Sequence, residues 1–349
     1  MLGRGAWRRI AVVCCEMCLV LGAGASGVLS ATAPAAARGG CVKVAIEFGT
    51  QGRPVSEATL AGARRVAAAN GMCRPSYGAP TGSASKQIGE VKAAVRAGEK
   101  LIVLSADDPI LLAPALRAAM RAGVTVLTLE DDVPGARDFF IQDTAYNAIG
   151  RAVIGAIVKA EGPRATVAWL ATTPDSTLDL AWLSAMMADS AAHYPALRFV
   201  SANVLPLATP LTLAEAVLHA YPGLKAILAL DDASVAGAAQ AVSDLRKVGR
   251  VGVFGVADPE PNQRYFADGS LQALFGWDAT DEGEFTMCVA ALAYQHALHA
   301  GRSFTCPARP TGSWAVASTS SRLTGATRDT IIFSKPLEFT PQNYRQYDF

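Results

Sequence analysis

Apolar and polar positions along this chain alternate between two rhythms. Short runs rich in β-branched and apolar residues, at 42–48, 101–105, 124–129, 166–171, 198–203, 226–230 and 251–256, predict strands. Between them, stretches 58–70, 109–122, 147–159, 180–193, 211–220 and 234–245 carry apolar residues at helical spacing. Most of the strands are apolar along their whole length, which is the pattern of strands covered on both faces. Strand and helix in strict alternation therefore predict an α/β fold of doubly wound parallel sheets. No internal repeat interrupts the pattern. Roughly 310 residues of it are more than one typical core holds, so two lobes are expected.

The N-terminus lies outside this rhythm. Arg4, Arg8 and Arg9 precede an apolar run at 10–29, followed by small residues ending in Ala35, Ala36 and Ala37. This is the layout of a secretory signal peptide over residues 1–37, with cleavage expected after Ala37. Glu16 inside the apolar run departs from that layout, which keeps an uncleaved membrane anchor as the alternative. Lipidation is a third route, although Cys14, Cys15, Cys18 and Cys41 lack the usual small residues before them. The expected location is the periplasm or the exterior of the cell envelope.

Composition narrows the partners. The chain has 31 basic and 30 acidic side chains, and the leader holds three of the arginines and one glutamate, so the mature part is within one charge of neutral. No basic stripe is present to displace counterions from phosphate, which argues against nucleic acid and anionic membrane surfaces as partners. Cys41, Cys73, Cys288 and Cys306 remain after the leader and would meet an oxidising compartment. Cys41 and Cys73 open the first two strands, which lie side by side if the sheet is wound in the usual order. That favours pairing Cys41 with Cys73 and Cys288 with Cys306; four separate buried thiols are the alternative. With no C-x-x-C and no Cys/His cluster, neither a metal nor a cofactor is expected.

In open sheets of this kind the ligand crevice lies outside the carboxyl ends of the strands. The loops there are residues 49–51, 105–108, 130–132, 172–179, 231–232 and 257–258, and they are rich in carboxylates. The competing explanation is helix capping, since Asp and Ser at such junctions accept hydrogen bonds from the first N–H groups of a helix. For Asp107, Asp108 and Asp258, capping or turn roles are the preferred reading. His193, His219, His296 and His299 fall in helices or near their ends, away from these loops. There is no G-x-S-x-G elbow, H-E-x-x-H helix or phosphate loop, so no enzyme is expected, although paired carboxylates across a cleft are also the equipment of a glycosidase.

The last stretch, from Phe333 to Phe349, contains Pro336, Pro341 and the aromatics Phe339, Tyr344, Tyr347 and Phe349. It resembles the C-terminal signature of bacterial solute-binding proteins similar to autoinducer-2 and rhamnose receptors. The resemblance runs through Lys43-Val-Ala-Ile, Leu101-Ile-Val-Leu-Ser-Ala106, residues 114–128, Val251-Gly-Val-Phe-Gly255, Asp268-Gly269 and Trp277-Asp278. The chain is thus identified as similar to type I periplasmic binding proteins over nearly all of its mature length.

That resemblance implies two lobes joined by a three-strand hinge. The N-terminal lobe would comprise residues 38–143 plus 277–306 and the C-terminal lobe residues 144–276 plus 307–349, with crossovers near 142–143, 277–278 and 306–312. It places Glu130 where sugar-binding relatives have a hydroxyl-reading aspartate, with Asp131 beside it. Asp232 matches an aspartate of ribose-type relatives, with Asp231 beside it as a weaker candidate. Trp277 falls at a hinge position that contacts ligand; a packed interlobe tryptophan is its alternative. Asp179 falls where autoinducer-2 receptors have a glutamine ligand; capping of a helix beginning near Leu180 is its alternative. Gly49 stands where those receptors have a lysine, and Leu178 where they have an aspartate. Leu230 and Asp232 replace a proline and an alanine, and Val55 and Ser56 stand near the stacking phenylalanines of ribose binders. Most of either ligand set is therefore missing.

An acidic crevice without an evident arginine or lysine disfavours anionic solutes. The expected function is an exported receptor that closes on a small neutral sugar, deoxysugar or polyol and delivers it, as a monomer, to the permease of an ABC importer. The alternatives are a sensing receptor for a signalling partner and a binder of a cationic solute.

Overall fold

The computed structural model describes residues 40–48, 54–78, 82–171, 177–203, 208–307, 309–322 and 324–349. The expected signal peptide and Gly49 lie outside them. The chain runs β1 (Val44–Glu47), α1 (Pro54–Val66), β2 (Ser76–Tyr77), α2 (Ala84–Ala97), β3 (Leu101–Leu104), α3 (Pro109–Arg121), β4 (Thr125–Leu129) and β5 (Phe139–Thr144). It continues with α4 (Tyr146–Glu161), β6 (Thr166–Leu170), α5 (Thr177–His193), β7 (Arg198–Ser201), α6 (Pro210–Ala220), β8 (Ala226–Ala229), α7 (Asp232–Asp244), β9 (Gly252–Val256), α8 (Gln263–Asp268) and β10 (Ala273–Gly276). Last come α9 (Ala279–Tyr294), β11 (Ser303–Cys306), β12 (Arg309–Ala315), β13 (Thr330–Ser334) and β14 (Leu337–Phe339).

Two six-stranded sheets result. The first has the order β13-β5-β4-β3-β1-β2 with every neighbouring pair parallel. The second has the order β14-β10-β9-β8-β6-β7, parallel except for the terminal β14, which runs antiparallel to β10. Strands β1, β3, β8 and β10 are buried at every position, as expected where helices cover both faces of a sheet. Helix α2 was not separated by the sequence pattern. It buries only Gln87, Val91 and Ala94, too few large apolar groups for a strong helical stripe.

The chain passes between lobes three times. It leaves the first sheet after β5, and α4 packs against β9 and β10 of the second. It returns after β10, since α9 contributes Phe285, Met287, Cys288 and Val289 to the first lobe's core. The third passage corrects the sequence expectation. It lies between β13 and β14, at Ser334–Leu337, and not near 306–312. Residues 312–334 consequently belong with the N-terminal lobe. The cause is packing: Ile331 lies opposite Ile141 in register, and the rings of Phe333 and Trp314 pack at a tilt against Phe285 at centroid distances of 5.2 and 4.7 Å.

The C-terminal tail then closes the second lobe. Phe339, Tyr344 and Phe349 are buried in its core, with Phe266 stacked on Tyr344 at 4.9 Å. Both disulfides form, Cys41–Cys73 and Cys288–Cys306, and both lie in the N-terminal lobe. One feature of packing bears directly on the crevice. A Cβ at Gly62 of α1 would land on the Thr280 carbonyl oxygen, and one at Gly283 of α9 on that of Thr59. Only glycine at both positions lets the two helices approach so closely, and this approach fixes the first turn of α9, which carries Glu282.

Candidate functional site

Acidic residues stand at the carboxyl ends of β4 and β5 and at the starts of α9 and α7. Glu130 follows β4 with a positive φ of 59°, a left-handed conformation uncommon outside glycine. Its N–H donates to the Ile141 carbonyl at 3.3 Å, and its carboxylate accepts from Ser105 Oγ at 3.3 Å. The kink sends three successive acids in different directions. Asp132 is neutralised by Arg137, with Nε to Oδ1 at 2.9 Å and Nη2 to Oδ2 at 3.1 Å, and also accepts from Thr128 Oγ1. Asp131 has no such partner. Burial, then the charges of Glu130 and Asp107, push its carboxyl up to about 7.

Two acids that sequence reasoning did not select stand next to this pair. Asp143, the penultimate residue of β5, is 3% exposed, and Glu282, in the first turn of α9, is 0% exposed. Burial is the main cause that holds each well above the usual carboxylate range; for Asp143 the next is the charge of Glu130, and for Glu282 that of Asp143. The two carboxyls are close enough to interact with each other, and Glu282 also reaches Trp277. Asp143 Oδ1, both oxygens of Glu282 and Trp277 Nε1 are buried; the proton that burial retains lets the two carboxyls hydrogen-bond to one another, and Trp277 Nε1 donates to Glu282. Asp143 lies at the first crossover and Glu282 just after the second, so the acid pair joins two strands of the hinge. The sequence signal was weak: Asp143 stands between Gln142 and Thr144 in the polar half of its strand, and Glu282 lies among Asp281 and Glu284 in its helix.

Trp277 lies at the second crossover, between β10 and α9. It packs against the cores of both lobes, and its ring lies 6.3 Å from that of Trp182 of α5. On the C-terminal side the carboxylates are differently employed. Asp231 caps α7, accepting from Ser234 N at 2.8 Å and Ser234 Oγ at 2.7 Å. Asp232 Oδ1 accepts from Asp258 N at 2.8 Å and from Asn262 Nδ2 at 3.5 Å. Asp108 caps α3 through Ile110 N and Leu111 N, the role preferred for it from sequence. Asp179 is the third residue of α5, which begins at Thr177, so it is not the N-cap of a helix starting near Leu180. Its carboxylate does lie in the helix's first turn, where the dipole favours negative charge.

The histidines contribute nothing here. His193 binds back to Asp189 in the last turn of α5, and His219 sits in the last turn of α6. Among the described residues no group of three His, Cys, Asp or Glu side chains is placed to hold a metal ion. No described helix is long and apolar enough to cross a membrane.

Two lobes and three crossovers between them define the class as that of two-lobed binding proteins. Residues 43–297 match the model of the periplasmic binding protein domain, and the chain belongs to that family. Its fold is shared by an ABC transporter solute-binding protein from Clostridium phytofermentas with bound L-rhamnose (TM-score 0.75, 24% identity, covering 88% of this chain and 98% of that one). It is also shared by LsrB from Clostridium saccharobutylicum in complex with AI-2 (0.74, 22%, covering 88% and 100%). A sugar ABC transporter protein from Actinomyces odontolyticus matches similarly (0.73, 22%, covering 89% and 100%). The family is one of binding proteins.

Proposed function

We propose that this protein is an exported solute receptor that captures a small sugar, deoxysugar or polyol between its lobes and delivers it to the membrane permease of an ABC importer. The observation that carries this reading is the placement of Glu130 and Asp131 at the end of β4, beside Asp143, Glu282 and the Trp277 ring at two hinge crossovers. Carboxylates accept from adjacent hydroxyls, and an indole offers an apolar face and one N–H donor to a sugar ring. Ligand bound there stabilises the closed form by its higher affinity for it, and closure is what a permease recognises. The named ligands of the structural relatives, L-rhamnose and AI-2, are of the same chemical kind. The reading is of binding without turnover.

A thermal-shift screen against sugars, deoxysugars, polyols, AI-2 and cationic solutes tests it. A ligand at a hundred times its Kd stabilises by about 2.7 kcal/mol, a shift of several degrees in a protein of this size. The shift should disappear in Glu130→Ala and shrink in Asp232→Ala. Absence of any shift across the screen would sink the receptor reading, and consumption of a bound sugar would convert it into an enzyme.

A further inference from the structure

Strands β3 and β8 hold the same place in their sheets, and each is preceded and followed by a helix that packs on the other: α2 and α3 in the N-terminal lobe, α6 and α7 in the C-terminal lobe. The two helix layers differ in charge. Helices α6 and α7 contain three acids, Glu215, Asp232 and Asp244, and no lysine or arginine. Helices α2 and α3 contain five cations, Lys86, Lys92, Arg96, Arg117 and Arg121, all exposed, and one acid, Glu90, which is half-buried. Among the described residues none of the five side chains has an ion pair or a hydrogen bond. The sequence shows no basic stripe because the five are divided between two helices; the fold gathers them on one layer. Arg96 and Arg121 lie in the last turns of their helices, where the dipole favours positive charge. Lys86, Lys92 and Arg117 lie outside those turns and have no such reason.

The same layer carries the two most exposed large apolar side chains among the described residues, Ile110 at 83% and Leu111 at 56%. The Asp108 cap and Pro109 start α3 there, and the helix turns Leu112, Ala113, Leu116 and Ala119 inward, which leaves Ile110 and Leu111 facing out. Below Leu111 on the helix, Ala115 and Ala118 line a shallow groove with Val91, Val95, Lys92 and Arg96 of α2. Single exposed apolar residues are ordinary. Two adjacent ones on a layer of unbalanced cations call for a partner.

A protein partner would present both signs of charge over a shaped surface and would be met by both signs here. These cations are of one sign and run the length of both helices, which complements a uniformly negative surface. Ile110 and Leu111 project from the layer, so they need a soft apolar phase beneath the charge and not a matching pocket. An anionic bilayer has both properties. We propose that the outer face of α2 and α3 docks on anionic phospholipid, with the five cations among the headgroups and Ile110 and Leu111 inserted below them. The N-terminal lobe is thereby the one held at the membrane. This goes beyond the receptor reading and does not depend on it.

Vesicle co-sedimentation tests it with the chain from residue 38 onward, whose part Cys41–Phe349 is one compact unit. Leaving out the apolar run at 10–29 keeps that run from inserting by itself. The vesicles are phosphatidylcholine alone and equal parts phosphatidylcholine and phosphatidylglycerol. Each cation at such a surface strengthens binding about fivefold, so the mixed vesicles should bind more tightly by about tenfold or more. The difference should shrink as salt rises. Lys92→Glu with Arg117→Glu should weaken binding to mixed vesicles by about tenfold or more, and Ile110→Ser with Leu111→Ser several-fold. Arg164→Glu with Arg198→Glu, exposed cations of the other lobe, should leave it unchanged. Equal binding to the two kinds of vesicle overturns the proposal, as does a loss in the control pair equal to that in Lys92→Glu with Arg117→Glu. Soluble polyglutamate bound as tightly as the mixed vesicles also overturns it, because the layer would then read acidic chains and not a bilayer. The wild-type comparisons decide the matter even if a variant folds poorly.

Discussion

Acids at equivalent points of the two sheets are treated alike, Asp108 after β3 capping α3 as Asp231 after β8 caps α7, whereas the acids beside the crossovers are treated differently. In the C-terminal lobe Asp231 and Asp232 are absorbed by local N–H groups, one as the cap of α7 and the other as an acceptor for Asp258 N. In the N-terminal lobe Asp143 and Glu282 are buried against each other, each held well above the usual carboxylate range chiefly by burial. A carboxylate at a strand end is therefore no sign of a ligand site by itself. What decides is whether a helix start follows within a residue or two and supplies donors. After β8 one does; Asp143 lies inside its strand, and Glu282 lies past its helix's own cap, Asp278. The lobe that carries the unfavourable electrostatics also carries both disulfides.

That coincidence yields the largest expected effect. The disulfides span 32 and 18 residues, and loops of that size restrict the unfolded chain by roughly 3 to 4 kcal/mol each in the chain-entropy picture. Reduction, or Cys288→Ser with Cys306→Ser, should lower the unfolding temperature by many degrees and should do so through the N-terminal lobe. Hydrogen exchange read lobe by lobe checks this. Equal loss of protection in both lobes would mean that the lobes do not differ in the way proposed.

The acids provide the next test. Glu47, at the end of β1, is pushed up to about 8 from 4.5 by burial and by Glu90 and Glu99, and Asp131 to about 7 from 3.8. Groups raised in this way hold protons in the folded protein that the unfolded chain has released, so the stability they allow is present below about pH 4 and lost as pH rises toward 8. Unliganded protein should accordingly unfold at a lower temperature at pH 8 than at pH 5.5. Glu282→Gln should be more stable than wild type at pH 8, by on the order of 2 kcal/mol, with a shallower pH slope. If the variant is instead destabilised at pH 8 and the slope is unchanged, Glu282 is compensated by an interaction of its ionised form.

These contrasts also mark how far the sequence could be read. The alternation of strand and helix was legible because strands such as Leu101–Leu104 are apolar on both faces. Strand order favoured Cys41–Cys73 and left Cys288–Cys306 as the remaining pair; both form. The third crossover was not legible: the run Ile331-Ile332-Phe333 shows a strand but not its partner, and only its register against Ile141 and its packing on Phe285 assign it to the first lobe. At the site, Glu130, Asp131 and Trp277 were reached through the resemblance. Asp143 and Glu282 were passed over because their chemistry lies in what surrounds them. A lone carboxylate in a strand reads as a turn signal, and one in a helix reads as a solvated face, until the structure shows that both are buried.

The smallest predicted effect makes the contrast between the lobes sharpest. Asp231→Ala removes the cap of α7 and should cost about 1 kcal/mol, measurable as a small drop in denaturation midpoint. Asp231→Asn keeps an oxygen for Ser234 N, so it should cost much less, because asparagine caps a helix about as well as aspartate. Charge removal with shape kept is then nearly neutral at Asp231 and stabilising at Glu282. An Asp231→Asn variant as stabilised at pH 8 as Glu282→Gln would show that the C-terminal acids, too, are held against their preference, and the division of labour between the lobes would be lost.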